Sequence, residues 1–424
     1  MRARATLSPV VVVVVAATLL TLLGGFWIKD RCTTHHWDGY QYRSSCYNDI
    51  LALYSFRGLG DRFPYVSGDG DGDPPPGERF DLDGDLEYPV GTGLFVGAIA
   101  AMVDDGQSFF RLNALFLAMA ALLGTGLLLL MVEDRRRVLF FALGTPLLLY
   151  AFHNWDLLAV TLMIGALLAY RETADRSAGL LIGVGAATKL FPGALLPGMV
   201  LSRWRERGAA PVAMIVWAAI GFLTLNLPIL LINPPGWLFP WRFQSTRFPN
   251  FETSWFMIFE HASGGSATAD SFWWRTYPEL TGYLSGALFV TGLGLLMYAE
   301  SKRERARPYA LAFGAMLIFL LTAKVYSPQF ALWLLPFFAL VRIPWYGFAA
   351  FIVTDAAVWF SISAWFLSQP SVSAGDPDLR FLLLEIAVWT RYAALLFLLW
   401  LSRRADENVI APDARAPAGV PSIA

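Results

Sequence analysis

Long apolar runs separated by short polar stretches recur along the whole chain, at a length that predicts helices crossing a bilayer. The first covers residues 8–28; at 1.5 Å per residue, about 20 apolar residues span a hydrocarbon core of roughly 30 Å. Further runs lie near 109–131, 138–152, 157–170, 210–232, 281–299, 308–323, 329–343, 345–367 and 381–401. Two segments break the pattern. Residues 88–104 are apolar but short, and are read as an interfacial or re-entrant helix. Residues 178–201 are interrupted by Lys189-Leu190-Phe191-Pro192, where proline removes a backbone donor and starts a second arm. These readings predict an all-α polytopic membrane protein with 10 to 12 spans.

Basic residues cluster between the runs, at Arg135 to Arg137, Arg171 with Arg176, Arg203 to Arg207, Lys302 to Arg307, and Arg403-Arg404. Short cytoplasmic loops collect such residues. Placing every cluster inside sends residues 29–108, 153–156, 233–280, 324–328 and 368–380 outside. Arg2 and Arg4 precede the first run, which is long and leads through Gly24-Gly25-Phe26-Trp27 into Lys29, so it is read as a retained anchor. On this scheme residues 1–405 form the membrane domain, 29–87 and 233–280 are extracytoplasmic loops, and 406–424, rich in Ala and Pro, form a disordered cytoplasmic tail. No internal repeat is apparent.

Composition agrees: 56% of the 424 residues are hydrophobic and 15% charged, with a mean hydropathy of +0.50. The net charge of -1 and the scattered basic clusters leave no continuous stripe for nucleic acid. Both cysteines, Cys32 and Cys46, fall in the first outside loop, where a disulfide persists. Closing a ring of about 15 residues restricts the unfolded loop by roughly 3 kcal/mol; two free thiols are the alternative.

Candidate chemistry gathers in the outside loops. Residues 46–58 are read as a short amphipathic helix lying on the membrane, with Asp49 near its start and Gly58 and Gly60 at its end, in the company of Tyr47, Arg57, Glu87 and Tyr88. The carboxylates Asp69, Asp71, Asp73, Asp81, Asp83 and Asp85 have a calcium-like rhythm, yet Pro74 and Phe80 stand where an EF-hand needs Gly and Glu, so the stretch reads as an acidic linker. His153-Asn154-Trp155-Asp156 either caps a helix or faces the cavity of Asp49. Lys189 and Lys324, two of four lysines, interrupt apolar sequence; Lys324 could hold a lipid phosphate, whereas Lys189 is read as snorkelling to the interface. Between 233 and 280, Arg242, Arg247, Glu252, His261 and Arg275 alternate with Trp237, Trp241, Phe243, Trp255, Trp273 and Trp274, an interfacial aromatic pattern in which guanidinium groups suit phosphate. No metal or cofactor is expected, since no His/Cys/Asp group has ligand spacing.

Taken in order, Cys46 to Tyr54, Arg57-Gly58-Leu59, Pro64-Tyr65, Glu87-Tyr88-Pro89-Val90, Asn154-Trp155-Asp156, Ala178 to Pro192 and Lys324 to Phe330 resemble glycosyltransferase family 87. The resemblance implies a GT-C membrane fold and inverting transfer of mannose or arabinofuranose from a polyprenyl-phosphate donor to a glycan or glycolipid acceptor outside the plasma membrane. It further implies that Asp49 is the general base and that Lys324 with Arg242 or Arg247 assists the leaving phosphate. Arg57, Glu87, Tyr88, Asn154, Asp156 and Gln329 complete the expected substrate-binding set. The acidic insert 66–86 and the paired cysteines depart from the simplest members. A transporter or lipid flippase for an anionic substrate is the alternative, against which stands the lack of related halves; a non-catalytic envelope scaffold is a third.

Overall fold

The computed structural model describes residues 8–66, 86–264, 276–369 and 376–411. Among them regular structure is helical, with only isolated bridges Val132–Val409 and Val341–Glu407. The chain shuttles between two ends of a helical bundle. One end gathers the basic clusters; the other carries Asp49.

The helix α1 (Pro9–Asp30) leads to a small loop with α2 (Tyr40–Arg43), then to α3 (Asp49–Phe56) and α4 (Val90–Ala100). After the long α5 (Gly106–Met131), the chain returns through the short pieces α6 (Leu139–Ala142) and α7 (Thr145–Tyr150), then α8 (Asp156–Arg171), α9 (Asp175–Thr188), α10 (Leu196–Arg207) and α11 (Val212–Ile232). Two helices, α12 (Pro234–Thr246) and α13 (Ser254–Ser263), lie at the Asp49 end before α14 (Tyr277–Ser301), α15 (Pro308–Thr322), a tight helical turn at Pro328–Trp333, α16 (Leu335–Leu340), α17 (Trp345–Ser368) and α18 (Pro377–Ser402). Six of these, α1, α5, α11, α14, α17 and α18, are each long and apolar enough to cross a membrane. The remaining helices are shorter, an arrangement compatible with the expected 10 to 12 spans.

The interrupted segment folds as its proline and lysine foretell. Helix α9 stops at Thr188, Lys189 is extended at φ -148 and ψ 138, and Phe191–Leu195 turns the chain into α10. A small-residue face lets α9 lie against α11: a Cβ at Gly179 would sit 2.1 Å from the Met214 carbonyl oxygen, and one at Gly183 would sit 2.0 Å from that of Ala218. Backbones approach this closely only through glycine. The short apolar segment forms the eleven-residue α4, too short to span.

Ion pairs and backbone contacts close the basic end. Arg203 Nε lies 3.0 Å from Asp175 Oδ1 and Arg207 Nη1 lies 2.6 Å from Asp175 Oδ2. Arg307 Nη2 meets Glu300 Oε2 at 3.0 Å, and Arg137 Nη2 donates to the carbonyls of Phe338, Val341 and Ile343 at 2.8–3.0 Å. The tail expected to be disordered from Asp406 starts as packed structure instead. Glu407 Oε1 accepts from Tyr309 and Ala310 N–H at 2.7 and 2.9 Å, capping α15, while Asn408 Nδ2 donates to Ala339 O at 2.9 Å. The reason is local: the exposed amides of a helix start need an acceptor, and the tail supplies one. The acidic carboxylates from Asp69 to Asp85, together with Trp273, Trp274 and Arg275, lie outside the described residues.

Candidate active site

Asp49 is placed by the start of α3. The Asn48 side chain accepts from Leu51 N–H at 2.9 Å and caps the helix, and Asp49 N–H donates to His153 O at 2.8 Å, tying α3 to the turn before α8. Asp49 Oδ2 accepts from Asn154 Nδ2 at 2.7 Å and from the Tyr88 hydroxyl at 3.4 Å. Asn154 Nδ2 also lies 2.5 Å from the Tyr88 oxygen. Burial pushes the Asp49 carboxyl up from its usual range, opposed by the hydrogen bond from Asn154 and the charge of Lys189. One fifth of the side chain remains exposed, towards a cavity of about 1320 Å³.

The turn at 153–156 divides its labour. Asn154 serves the Asp49 carboxylate and Asp156 serves Lys189, so the helix-cap reading does not hold: the residue before α8 is Trp155 and no side chain caps it. Lys189 Nζ lies 3.0 Å from Asp156 Oδ2, and Trp333 Nε1 donates to Asp156 Oδ1 at 2.7 Å. The lysine does not snorkel away. It is buried, with its ammonium 4.6 Å from the centre of the Tyr88 ring, because the hairpin bend brings it to the buried carboxylate of Asp156, which pairs with it. Lys189 thus lines the cavity although Asp156 does not. His153 also lines it, with Nε2 3.9 Å from Asp49 Oδ1. Burial and the charge of Lys29 hold the imidazole well below its ordinary value, hence neutral.

A second wall carries cations. Lys324 Nζ donates to the carbonyls of Ser245 and Pro278 at 2.9 and 3.0 Å; burial and neighbouring Arg247 lower its pKa to about 8. Arg247 Nη2 donates to Asn250 Oδ1 at 2.7 Å and faces the same cavity. Burial lowers its pKa too, against the pull of Glu87 and Asp49. Gln329 lines this wall with Oε1 buried and without a partner among the described residues. Below the cations the lining becomes apolar, with Gly282, Gly286 and Phe289 of α14 facing Phe319 and Phe330, and a Cβ at Gly286 would meet nothing within 4 Å.

Of the residues singled out in the sequence, Asp49, Glu87, Tyr88, Arg247, Lys324 and Gln329 line one cavity, and Asn154 holds Asp49 from behind. Arg57 is turned to Glu87 at 2.8 Å and does not reach the lining. Arg242 is exposed on α12, away from the cavity. Lys189, Glu252 and His153 are among the lining residues left out of the expected substrate-binding set. For Lys189 the signal was present, a rare lysine beside a helix-breaking proline. Cys32 and Cys46 are bridged, with Cα atoms 5.5 Å apart. Among the described residues no group of three or more His, Cys, Asp or Glu side chains could hold a metal.

Two solved structures of ArnT from Cupriavidus metallidurans resemble this chain at 15% identity. The one bound to undecaprenyl phosphate has a TM-score of 0.45, with 93% of this chain and 77% of that one covered; the apo form has a TM-score of 0.43, with 93% and 78% covered. Among curated proteins none matches. The profile of glycosyltransferase family 87 matches residues 87–323, more than half of the chain, a stretch that ends one residue before Lys324 and leaves Asp49 outside. The chain belongs to glycosyltransferase family 87.

Proposed function

We propose that this glycosyltransferase moves a sugar, mannose or arabinofuranose, from a polyprenyl-phosphate donor to a glycan or glycolipid on the outer side of the plasma membrane, with inversion. One observation carries the reading: a partly exposed carboxylate, held from one side by Asn154 and Tyr88, shares a cavity with two cations at the head of an apolar groove. The acceptor hydroxyl gives its proton to the Asp49 carboxylate on the part left open to the cavity. Its oxygen forms the new bond to the anomeric carbon as the bond from that carbon to the phosphate oxygen breaks. The electron pair leaves with the polyprenyl phosphate, whose charge Lys324 and Arg247 stabilise. The prenyl chain lies along Gly282, Gly286 and Phe289. Lys189 favours the ionised form of Asp49 before transfer.

The orientation rests on charge. Every basic cluster lies at the bundle end opposite Asp49, and such clusters stay in the cytoplasm, which supports an extracytoplasmic site. The test is sugar transfer by purified protein in lipid nanodiscs supplied with polyprenyl-phosphate mannose or arabinofuranose and bacterial lipid extract as acceptor. Transfer that persists undiminished in Asp49→Asn removes Asp49 from the mechanism. Labelling of a cysteine placed at Asp61, in intact cells, by a membrane-impermeant reagent reports the side; protection there reverses the orientation.

A further inference from the structure

Two ionisable side chains lie deep in the bundle where the mechanism above does not use them. Asp355 stands near the middle of α17 and Arg391 near the middle of α18, and neither side chain has any exposed surface. Arg391 Nη1 is 3.8 Å from Asp355 Oδ1, near enough for the charges to attract but too far for a hydrogen bond. Neither residue lines the cavity. Beside them Val358 and Ile362 of α17 share one apolar cluster with Leu384 and Val388 of α18, so the two helices already have a hydrophobic contact. Charges inside a membrane bundle are costly to bury, and hydrophobic replacement of a buried pair is often neutral or stabilising. Stability alone gives no reason for this pair.

What Arg391 reaches supplies the reason. Its Nη2 donates to the Glu252 carbonyl at 2.6 Å, and its guanidinium carbon lies 3.8 Å from the centre of the Tyr326 ring. Glu252 follows Arg247 in one short segment, and Tyr326 follows Lys324 in another. One guanidinium therefore touches both segments that carry the cations of the cavity. On the cavity side the same segments are laced through Asn250: its N–H donates to Lys324 O at 3.1 Å, its Nδ2 to Ser327 Oγ at 2.9 Å, and its Oδ1 accepts from Arg247 Nη2 at 2.7 Å. Arg391 fastens them from behind. Such fastening is needed because Arg247 and Lys324 repel each other, as the lowered proton affinity of Lys324 shows, and preorganised cations act on a ligand only while they are held in place.

We propose that Arg391 is a positioning residue, holding the 247–253 and 324–327 segments against each other from inside the bundle so that Arg247 and Lys324 face one ligand phosphate, while Asp355 balances and aims its guanidinium. The phosphate part rests on the donor reading above; the holding of the two segments does not.

The test removes the pair without stranding either charge. Full-length wild type and the double variant Asp355→Leu with Arg391→Met are compared in lipid nanodiscs, with undecaprenyl phosphate and with undecaprenol, which lacks the phosphate. The double variant should melt within a few degrees of wild type. Hydrogen exchange read by mass spectrometry should become roughly tenfold faster in peptides covering Asn250 to Thr253, whose N–H groups donate to Lys324 O and Asn250 O, while α17 and α18 keep their protection. Affinity for undecaprenyl phosphate should fall roughly tenfold with affinity for undecaprenol unchanged, a split that general loosening of the bundle would not produce. The single variant Arg391→Lys should recover part of the phosphate preference, since an ammonium still donates to the Glu252 carbonyl. The proposal is overturned if the double variant melts far below wild type, exchanges these amides at the wild-type rate, keeps the phosphate preference, or loses affinity for both lipids equally. Failure of the donor reading shows differently, as wild-type protein that binds both lipids alike; exchange at Asn250 to Thr253 then decides the positioning role by itself.

Discussion

The two ends of the bundle are built from the same residue types and use them in opposite ways. At the basic end, arginines are spent on partners within the chain: Arg203 and Arg207 share Asp175, Arg307 meets Glu300, and Arg137 collects three carbonyls. At the other end Lys324 has only backbone carbonyls, Glu252 has no side-chain partner among the described residues, and Asp49 keeps one fifth of its side chain exposed to a cavity. The first arrangement closes helices, the second leaves charge for a ligand. Number of charges distinguishes the ends poorly; the identity of their partners distinguishes them well.

Substitutions at matched positions can break this contrast. The largest effect is expected at Asp49→Asn, which should lower kcat about 10²- to 10⁴-fold with the melting temperature held within a degree or two of wild type; radiolabelled sugar transfer measures it. Arg203→Met should do the reverse. It leaves buried Asp175 with only half-exposed Arg207, costing roughly 3 kcal/mol of stability, while turnover per folded molecule is retained; denaturation followed alongside activity checks both.

Lys189 straddles the two behaviours, since it is paired like the basic end yet lines the cavity. Lys189→Met should destabilise the protein by stranding Asp156 and should also move the acid limb of the rate profile to higher pH, because loss of a nearby cation raises the Asp49 carboxyl further. A rate profile whose acid limb stays in place would assign Lys189 to structure alone.

At alkaline pH the limb should follow Lys324. Its pKa is lowered to about 8, so the ammonium is present below that pH and lost above it, and donor KM should rise through this range. In Lys324→Arg the rise should vanish, as guanidinium keeps its charge. The smallest effect belongs to Arg242→Ala. The side chain is exposed on α12, and donor KM should change less than about twofold, as for most surface substitutions; a tenfold rise would mean that it reaches the donor after all.

Much of the architecture was legible without coordinates. Apolar run length marks the long spans, and Lys189 with Pro192 marks the hairpin break, because bilayer thickness and the missing proline donor act on local sequence. A short helix with Asp49 near its start was readable from its flanks, although it begins at Asp49 rather than at residue 46. Arg242 and Arg247 were indistinguishable in sequence, five residues apart in an aromatic-rich loop. Their separation depends on tertiary placement: Arg242 is exposed on α12, whereas Arg247 follows the end of that helix in extended backbone and lines the cavity. The start of the tail was misjudged for a related reason: Glu407 and Asn408 look like a polar end, and only the amides of α15 and the carbonyl of Ala339 make them structural.

From its order of residues alone the chain settles that it is a helical membrane protein of glycosyltransferase family 87 and that its basic clusters share one end, since hydropathy and charge act over a few neighbours at a time. Packing settles which ionisable groups are consumed and which stay available. Asp49 and Asn154 are 105 positions apart, and Lys189 and Asp156 are 33 apart; no local rule reports a distance between such pairs, because only the packed helices bring them together.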